Sequence, residues 1–467
     1  MPAIINISKP NRKSAPSLKT ALCMLLAVCL LIGSLSGCGI FGEKLEPTDT
    51  LVVCYEQSYR GQYEPAFEAF RKRNPDVTLE TVGLPGLSFD RNGQIPEEQR
   101  MAREAAITSL RIEVMAGKGP DLFVMLDNLT GGVPDGQEKF IVGTRLFNDV
   151  DKVMRAGVFC DLAPLMELAG LAPEHYVEPV LAAGQVDGVQ YTLPLGYGMH
   201  GFLFAESFLA EHNLTEEALR MPFTELLPQL LALDPDAWPT IDDFCYQLLE
   251  QRLDYDAGKT TFNRGMIGAL MEYFRAKEEY ERLQPNLTEQ EWRKYIAARA
   301  DSFIFQSVSN RLVEYLQHFE REGKTDVFVP MYDNAGGVQV NIFSYAGVRA
   351  NSENKYNAAK MLEILNETRP SSEGESESFH DGVSWRFSSH KGGLKNYVNK
   401  EYNSNNGKFA LPESLLNAEA LITGARFIST EQVDIFDEVL DKYKADELTL
   451  DEALDEMERM LKRFIES

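Results

Sequence analysis

The sequence predicts an α/β protein built from two lobes, and three observations carry that expectation. Its 467 residues exceed the ~100–200 of a usual single domain, so two sizeable lobes are expected. Hydrophobic residues make up 44% and charged residues 25%, a globular balance that excludes wholesale disorder, a collagen-like repeat and a polytopic membrane protein. Between residues 51 and 126, short apolar runs alternate with segments of helical period, the β-α-β-α-β order of a parallel sheet. Such sheets hold ligands in the crevice at the carboxyl ends of their strands.

The first forty residues give an address before any fold begins. Lys9, Arg12, Lys13 and Lys19 supply positive charge, and the apolar run Ala21–Ile32 follows. That run is short for a spanning helix and ends in Leu35-Ser36-Gly37-Cys38-Gly39, which resembles a bacterial lipobox. Small residues at 36 and 37 fit a peptidase cleft, and the Cys38 thiolate can take a diacylglyceryl group. The expectation is a signal peptide over 1–37, lipidation at Cys38, and a linker over 38–50. More than one acyl chain gives lasting attachment to the outer face of a membrane. The whole chain carries 71 acidic and 46 basic residues, a formal charge of −25, and losing the four leader cations takes it to −29. A surface that negative repels phosphate backbones, so nucleic acid is not an expected partner.

In the body, Leu51–Tyr55 suits a buried strand, and Tyr63, Phe67 and Phe70 share a face of the helix that follows over 62–73. Asn74-Pro75-Asp76 forces a turn into a second strand, Val77–Val82. The helix over 97–116 places Met101, Ala105, Leu110, Val114 and Met115 on its period, and Leu122–Leu126 is a third buried strand. Val189–Leu193 and Phe202–Phe204 flank Gly196-Tyr-Gly-Met-His-Gly201. Residues 206–320 are mostly helical. Strands return at Thr325–Val329 and Val338–Tyr345, with a helix over Lys355–Asn366. Residues 370–378 are an acidic low-complexity stretch. Thr449 and Glu452 make a capping box for a last helix striped with Leu454, Met457, Leu461 and Phe464.

The ordered pieces are Phe67-x-x-Phe70 with Asn74-Pro75-Asp76-Val77, Met115-Ala-Gly-Lys-Gly-Pro-Asp-Leu-Phe123, and Gly157-x-x-x-Asp161-Leu162-x-Pro164-Leu165. Asp187-Gly-x-x-Tyr191-x-x-Pro194, Pro239-Thr-x-Asp242-Asp-Phe244, Gly347-Val-x-Ala-Asn-Ser352-x-Asn-Lys355-x-x-Ala358-Ala359 and Thr449-Leu-Asp-Glu-Ala453-Leu454 follow. In this order, behind a lipobox, they resemble the extracellular solute-binding lipoproteins of ABC importers, of the maltodextrin-binding, family 1 sugar-binding type. The chain departs from that family at Ala300–Ser307, where a Phe-x-x-Gly is usual, and in a long insertion over 253–300.

The resemblance implies a two-lobed periplasmic-binding-protein type II fold, each lobe a mostly parallel sheet flanked by helices, joined by hinge crossings near Leu193–Gly198 and Val329–Tyr332. Residues 50–193 and 332–370 would form lobe 1, and 199–329 with 371–467 mainly lobe 2. It further implies that a small solute, an oligosaccharide or related carbohydrate, is captured in the cleft and delivered to ABC permease subunits. A surface-anchored glycan hydrolase of the same shape, or a ligand sensor with the same binding fold, are the alternatives.

Candidate ligand contacts follow strand ends: Tyr55 and Tyr59 after the first strand, Asp127 and Asn128 after the third, Tyr197 and His200 at the first crossing, Tyr332 after the second, and Trp385 in Gly382–Arg386. Aromatic rings cover a sugar's apolar face, while Asp and Asn bond its hydroxyl rim. No enzyme, metal or cofactor is expected. The six histidines show no His-x-x-His spacing, and there is no G-x-S-x-G elbow or Walker lysine motif. Gly196–Gly201 is literally G-x-G-x-x-G, but Pro194 precedes it and a strand follows, so a flexible crossing is expected instead of a nucleotide cradle. Cys54, Cys160 and Cys245 allow at most one disulfide.

Overall fold

The apolar runs that open the body form three neighbouring strands in the computed structural model, which describes residues 45–88, 95–126, 145–235, 253–261, 263–283, 302–307, 326–333, 335–367, 387–404 and 411–466. Strands β1 (Thr50–Glu56), β2 (Thr78–Leu84) and β3 (Leu122–Leu126) are parallel, with β1 central: Cys54 faces Val82 on one side and Phe123 on the other. β3 is buried along its whole length, as a strand covered on both faces must be. The helix Arg60–Arg73 buries Tyr63, Phe67 and Phe70 as predicted. The helix Glu97–Met115 buries Leu110 and Val114 as expected, but its first half is turned from the expected face. Its buried residues are Arg103, Ile107, Leu110 and Val114, whereas Met101 and Met115 are 55% and 87% exposed. Arg103 takes an inward position because a carboxylate waits for it there.

The chain continues through a hairpin, β4 (Gln185–Val186) and β5 (Val189–Gln190), whose turn Asp187-Gly188 has both residues at positive φ. That backbone is the I′ geometry which Asp-Gly tolerates. Then come β6 (Thr192–Gly198), β7 (His200–Ala205), a small pair β8 (Leu253–Asp254) and β9 (Lys259–Thr260), β10 (Phe303–Ser307), β11 (Asp326–Pro330), β12 (Val338–Val348), β13 (Phe387–Ser388) and β14 (Ile422–Arg426). Two sheets result. A seven-stranded sheet runs β13-β6-β12-β3-β1-β2, with β14 joined in parallel to the opening half of β12. A three-stranded sheet runs β10-β7-β11, and both of its pairings are antiparallel. The parallel expectation for each lobe therefore fails in the smaller sheet, because β7 leaves β6 without a helical crossover and returns along neighbours of opposite sense.

Among the described residues the chain runs directly from one larger sheet to the other at two places. β6 stays in the large sheet to Gly198 and β7 begins at His200, so the first passage is Met199 alone. The second lies between Pro330 and Val338, where Tyr332 bridges to both Pro222 and Val338. After β14 the chain leaves the large sheet for its last helices, and there Arg145 donates to Ile428 O (3.1 Å) and Thr430 N to Asn148 O (2.8 Å). β13 and β14 belong to the large sheet. The last helices, Thr430–Lys444 and Leu450–Glu466, pack on the helix Arg264–Leu283 through Phe274 against Phe436 and Arg264 against Asp455. The predicted capping box is present: Thr449 N donates to Glu452 Oε2 (2.9 Å) and Glu452 N to Thr449 Oγ1 (3.4 Å). Pro47–Ser467 is one compact unit whose apolar core includes residues of both sheets.

At the amino end of β3 sits a polar clamp. Asp121, 2% exposed, accepts from Val52 N (2.9 Å), Ser352 Oγ (2.7 Å), Asn354 Nδ2 (2.9 Å) and Arg349 Nη2 (3.2 Å). Arg349 also donates to Pro120 O and Gly117 O. The two segments Met115–Phe123 and Gly347–Lys355, more than two hundred residues apart, are thus tied together by their own side chains.

Candidate functional site

The opposite edge of the large sheet is the site the topology selects. Gly196, Ser344 and Leu126 lie in one row across β6, β12 and β3, and Tyr55 faces Val124 one strand further on. β1 and β3 end on this edge, and β6 leaves it for the smaller sheet. Asp127, Asn128, Trp385 and Cys38 lie outside the described residues, as does Cys245.

Where β1 ends, Glu56 and Arg103 form a bidentate pair, Nη1 to Oε2 at 2.8 Å and Nη2 to Oε1 at 3.0 Å, with both side chains 2% exposed. Arg103 Nη1 also donates to Pro85 O (2.7 Å), just past β2. Gln99, one turn earlier on that helix, accepts from Ser88 N and Oγ (2.9 and 3.0 Å). One helix therefore fixes the loops after β1 and β2 side by side. Breaking one half of such a buried pair costs roughly 3–5 kcal/mol, which makes it a strong locator of whatever it holds. Tyr59, half-buried in the short 3₁₀ turn Gln57–Tyr59, stands beside this pair. Its phenol is held above the ordinary range by burial and by the Glu56 charge, against the lowering effect of Arg103. It stays a neutral hydroxyl.

The other described candidates are built into the interior. Tyr55, 5% exposed, has its ring edge-on to Tyr63 (5.6 Å) and Phe67 (5.3 Å). Tyr197 is fully buried against Phe387 (5.5 Å), and its hydroxyl donates to Glu419 (3.1 Å). Burial, then the Glu419 charge, raises that phenol well above its ordinary pKa. His200 stacks on Phe305 (6.1 Å) and its carbonyl accepts from Met331 N (3.0 Å). Tyr332, 7% exposed, accepts from Phe223 N at its carbonyl. Protein groups occupy the rings of Tyr55 and Tyr197, so neither ring presents a face at the edge.

The crossing glycines have a different cause from the flexibility expected of them. None of Gly196, Gly198 and Gly201 has positive φ. A Cβ on Gly198 would fall 1.6 Å from the Phe343 ring, and one on Gly201 2.4 Å from that of Phe328. A ring on the neighbouring strand of the same sheet demands each of them, Phe343 on β12 beside β6 and Phe328 on β11 beside β7. A strand, not a helix, opens at this motif, which removes the dinucleotide reading.

Glu56, Arg103 and Glu419 are the residues that sequence reasoning missed. A charged residue on a strand of apolar neighbours (Val53-Cys-Tyr-Glu56) was the available signal for the first. Cys54 and Cys160 are reduced, and burial pushes the Cys54 thiol far up, so it is inert. Among the described residues no cluster of His, Cys, Asp and Glu could hold a metal, and no helix is long and apolar enough to cross a membrane.

No family model matches the chain, and no curated protein sequence is similar to it. Solved structures are. A periplasmic oligogalacturonide binding protein from Yersinia enterocolitica superposes with a TM-score of 0.52 at 11% identity, over 89% of this chain and 99% of its own. A periplasmic solute binding protein from Pectobacterium atrosepticum gives 0.50 at 12% identity, over 90% and 99%. The chain has the fold of the periplasmic solute-binding proteins. The fold alone does not fix chemistry, since a de novo designed cysteine esterase superposes equally on this solute-binding fold (0.52, 12% identity, over 91% and 99%).

Proposed function

We propose that this solute-binding fold captures a small carbohydrate at the carboxyl edge of its large sheet, for delivery to an ABC importer. The observation that carries the proposal is the passage of the chain between two sheets at that edge, with the Glu56–Arg103 pair holding the polar turn Gln57–Tyr59 in place there. Two lobes, built on 50–193 with 332–370 and on 199–329 with the final helices, would close on the solute as a hinge. Closure is driven only by the solute's differential affinity for the closed state. The lipobox at Leu35–Gly39 supports a tether at Cys38 on the outer face of the membrane.

Calorimetry of Pro47–Ser467 against a panel of mono- and oligosaccharides tests capture. Micromolar binding, near −8.2 kcal/mol, is expected for at least one sugar. Absence of binding across the panel removes the proposal, and release of product from an incubated glycan replaces it with hydrolysis. Cys38→Ser should abolish incorporation of labelled fatty acid in cells, and retained label would remove the tether.

A further inference from the structure

The helix Glu97–Met115 keeps one face out of the protein altogether. Met101, Ala105, Thr108, Ile112 and Met115 follow one another at spacings of four, three, four and three, which sets them on one stripe, and all five are exposed. Exposure grows along the stripe, from 55% at Met101 through 63% at Ile112 to 87% at Met115. Single apolar side chains on a surface are ordinary. A line of them, with a methionine standing almost free at its end, marks a surface that meets something apolar.

Place decides what that is. The helix runs back from the end of β2 to the start of β3, so Met115 lies at the amino edge of the large sheet. Arg349 Nη1 and Asn351 Nδ2 both donate to Gly117 O (2.9 Å each), which fixes the last turn of the helix there. The chain enters the body at the same edge: Asn357 Nδ2 donates to Thr48 O (2.9 Å) and Thr78 N to Asp49 O (2.8 Å). Leu45, where the described chain begins, is seven residues beyond Cys38, and seven residues reach at most about 25 Å.

Acyl chains on Cys38 would therefore hold this edge close to lipid. A formal charge of −25 gives the protein no electrostatic attraction to a membrane, so apolar contact is what remains to orient it. From free solution two methionines and an isoleucine would bind lipid weakly. On a short tether the same contact is intramolecular, and a weak affinity becomes a populated state. We propose that the stripe Met101–Met115 docks the tethered body on the lipid surface, with Ile112 and Met115 entering the interface deepest. The acyl chains attach the protein, and the stripe sets how it lies. The inference rests on the tether at Cys38 proposed above and on no reading of the solute.

The test uses the full protein, purified with its lipid from cell membranes and reconstituted in phosphatidylcholine vesicles with brominated acyl chains. Bromine quenches a tryptophan only at close contact. Met115→Trp should add fluorescence, over that of the three native tryptophans, that these vesicles quench. Gln57→Trp, exposed at the carboxyl edge, should add fluorescence that they do not. Ile112→Glu in the Met115→Trp protein should remove most of the quenching at an unchanged melting temperature, because Ile112 is exposed. No quenching at position 115, equal quenching at 57 and 115, or no effect of Ile112→Glu overturns the inference and leaves the tether standing. Purified protein without fatty acid on Cys38 overturns the tether, and this inference with it. A dimer of Pro47–Ser467 that Met115→Glu returns to monomer gives the stripe to a second copy and also overturns the inference.

Discussion

The two ends of the large sheet are built on opposite plans. At the amino end of β3, Asp121 is saturated by a backbone amide, a serine, an asparagine and an arginine, and Asp121, Ser352 and Asn354 belong to motifs recognisable in the sequence. At the carboxyl end, polar loops hang from one buried ion pair whose members, Glu56 and Arg103, belong to no motif. The difference teaches where resemblance resides. The segments that look like a family are the ones that lock the scaffold, and the residues that would meet a solute are free of that constraint. A shared clamp therefore says nothing about a shared ligand.

Removing the centre of the clamp is the severest way to break this contrast. Asp121→Ala leaves Arg349 without its carboxylate and Val52 N without an acceptor, a loss of about 3–5 kcal/mol of stability. Denaturant unfolding measures it. The fraction that remains folded should bind solute normally, and a large change in affinity would show that the amino end contributes to the site after all. Tyr197 comes next. Its ring is buried against Phe387 and its hydroxyl bonds Glu419, which also accepts from Gly392 N and Leu394 N at the start of the helix Gly393–Ser404. Tyr197→Ala should cost roughly 3–4 kcal/mol through the cavity, and Tyr197→Phe only about 1 kcal/mol through the lost bond. A weaker solute affinity in a fully stable Tyr197→Phe would place this hydroxyl in the site instead of the scaffold.

The same contrast explains how much was legible in advance. Periodicity located β1, β3, β12 and the helices after β1 and β12, because strands covered on both faces are continuous apolar runs, and it located the mostly exposed β2 by its alternation. Helix 97–115 was only partly legible: Leu110 and Val114 are buried as expected, but Met101 and Met115 look like core residues while the inward Arg103 looks like a surface one. Only a partner 47 residues earlier explains its position. Aromatic residues after strands were the natural guess for ligand contacts. Tyr55 and Tyr197 have instead been drawn into ring clusters, because a large apolar surface gains more from burial than from waiting at a rim. The glycines of the crossing were legible as glycines, but their reason, the Phe343 and Phe328 rings, lies on strands far along the chain.

Acid should loosen the scaffold side before it touches the site. His390 is wedged against Tyr176 (4.6 Å between ring centres), whose hydroxyl donates to Asn366. Burial first, and the neighbouring His175 second, lower its pKa from 6.5 to about 4. The unfolded chain thus binds a proton that the folded one refuses. Stability is intact above pH 6.5 and declines as the pH falls towards 4. The full shift corresponds to about 3 kcal/mol, and with solvent reaching part of the ring roughly 1–2 kcal/mol is expected. Melting temperatures between pH 7 and pH 4.5 measure the decline, and His390→Gln should flatten it. An equal slope in the variant would assign the acid sensitivity elsewhere.

The smallest effect is the one that bears most directly on the site. Tyr59 is half-buried, whereas the other described candidates are buried, and it sits in a short turn with no buried residue. Tyr59→Ala should therefore leave stability within about 0.5 kcal/mol of the parent, since substitutions on such surfaces rarely do more. If the ring covers a sugar face, the same substitution weakens binding by roughly 0.5–1.5 kcal/mol, a factor of about two to twelve in Kd. Tyr59→Phe separates the ring from the hydroxyl: affinity close to that of the parent means stacking, and a loss equal to that of the alanine means a hydrogen bond. A Tyr59→Ala protein with unchanged Kd would move the solute off the β1 end of this edge.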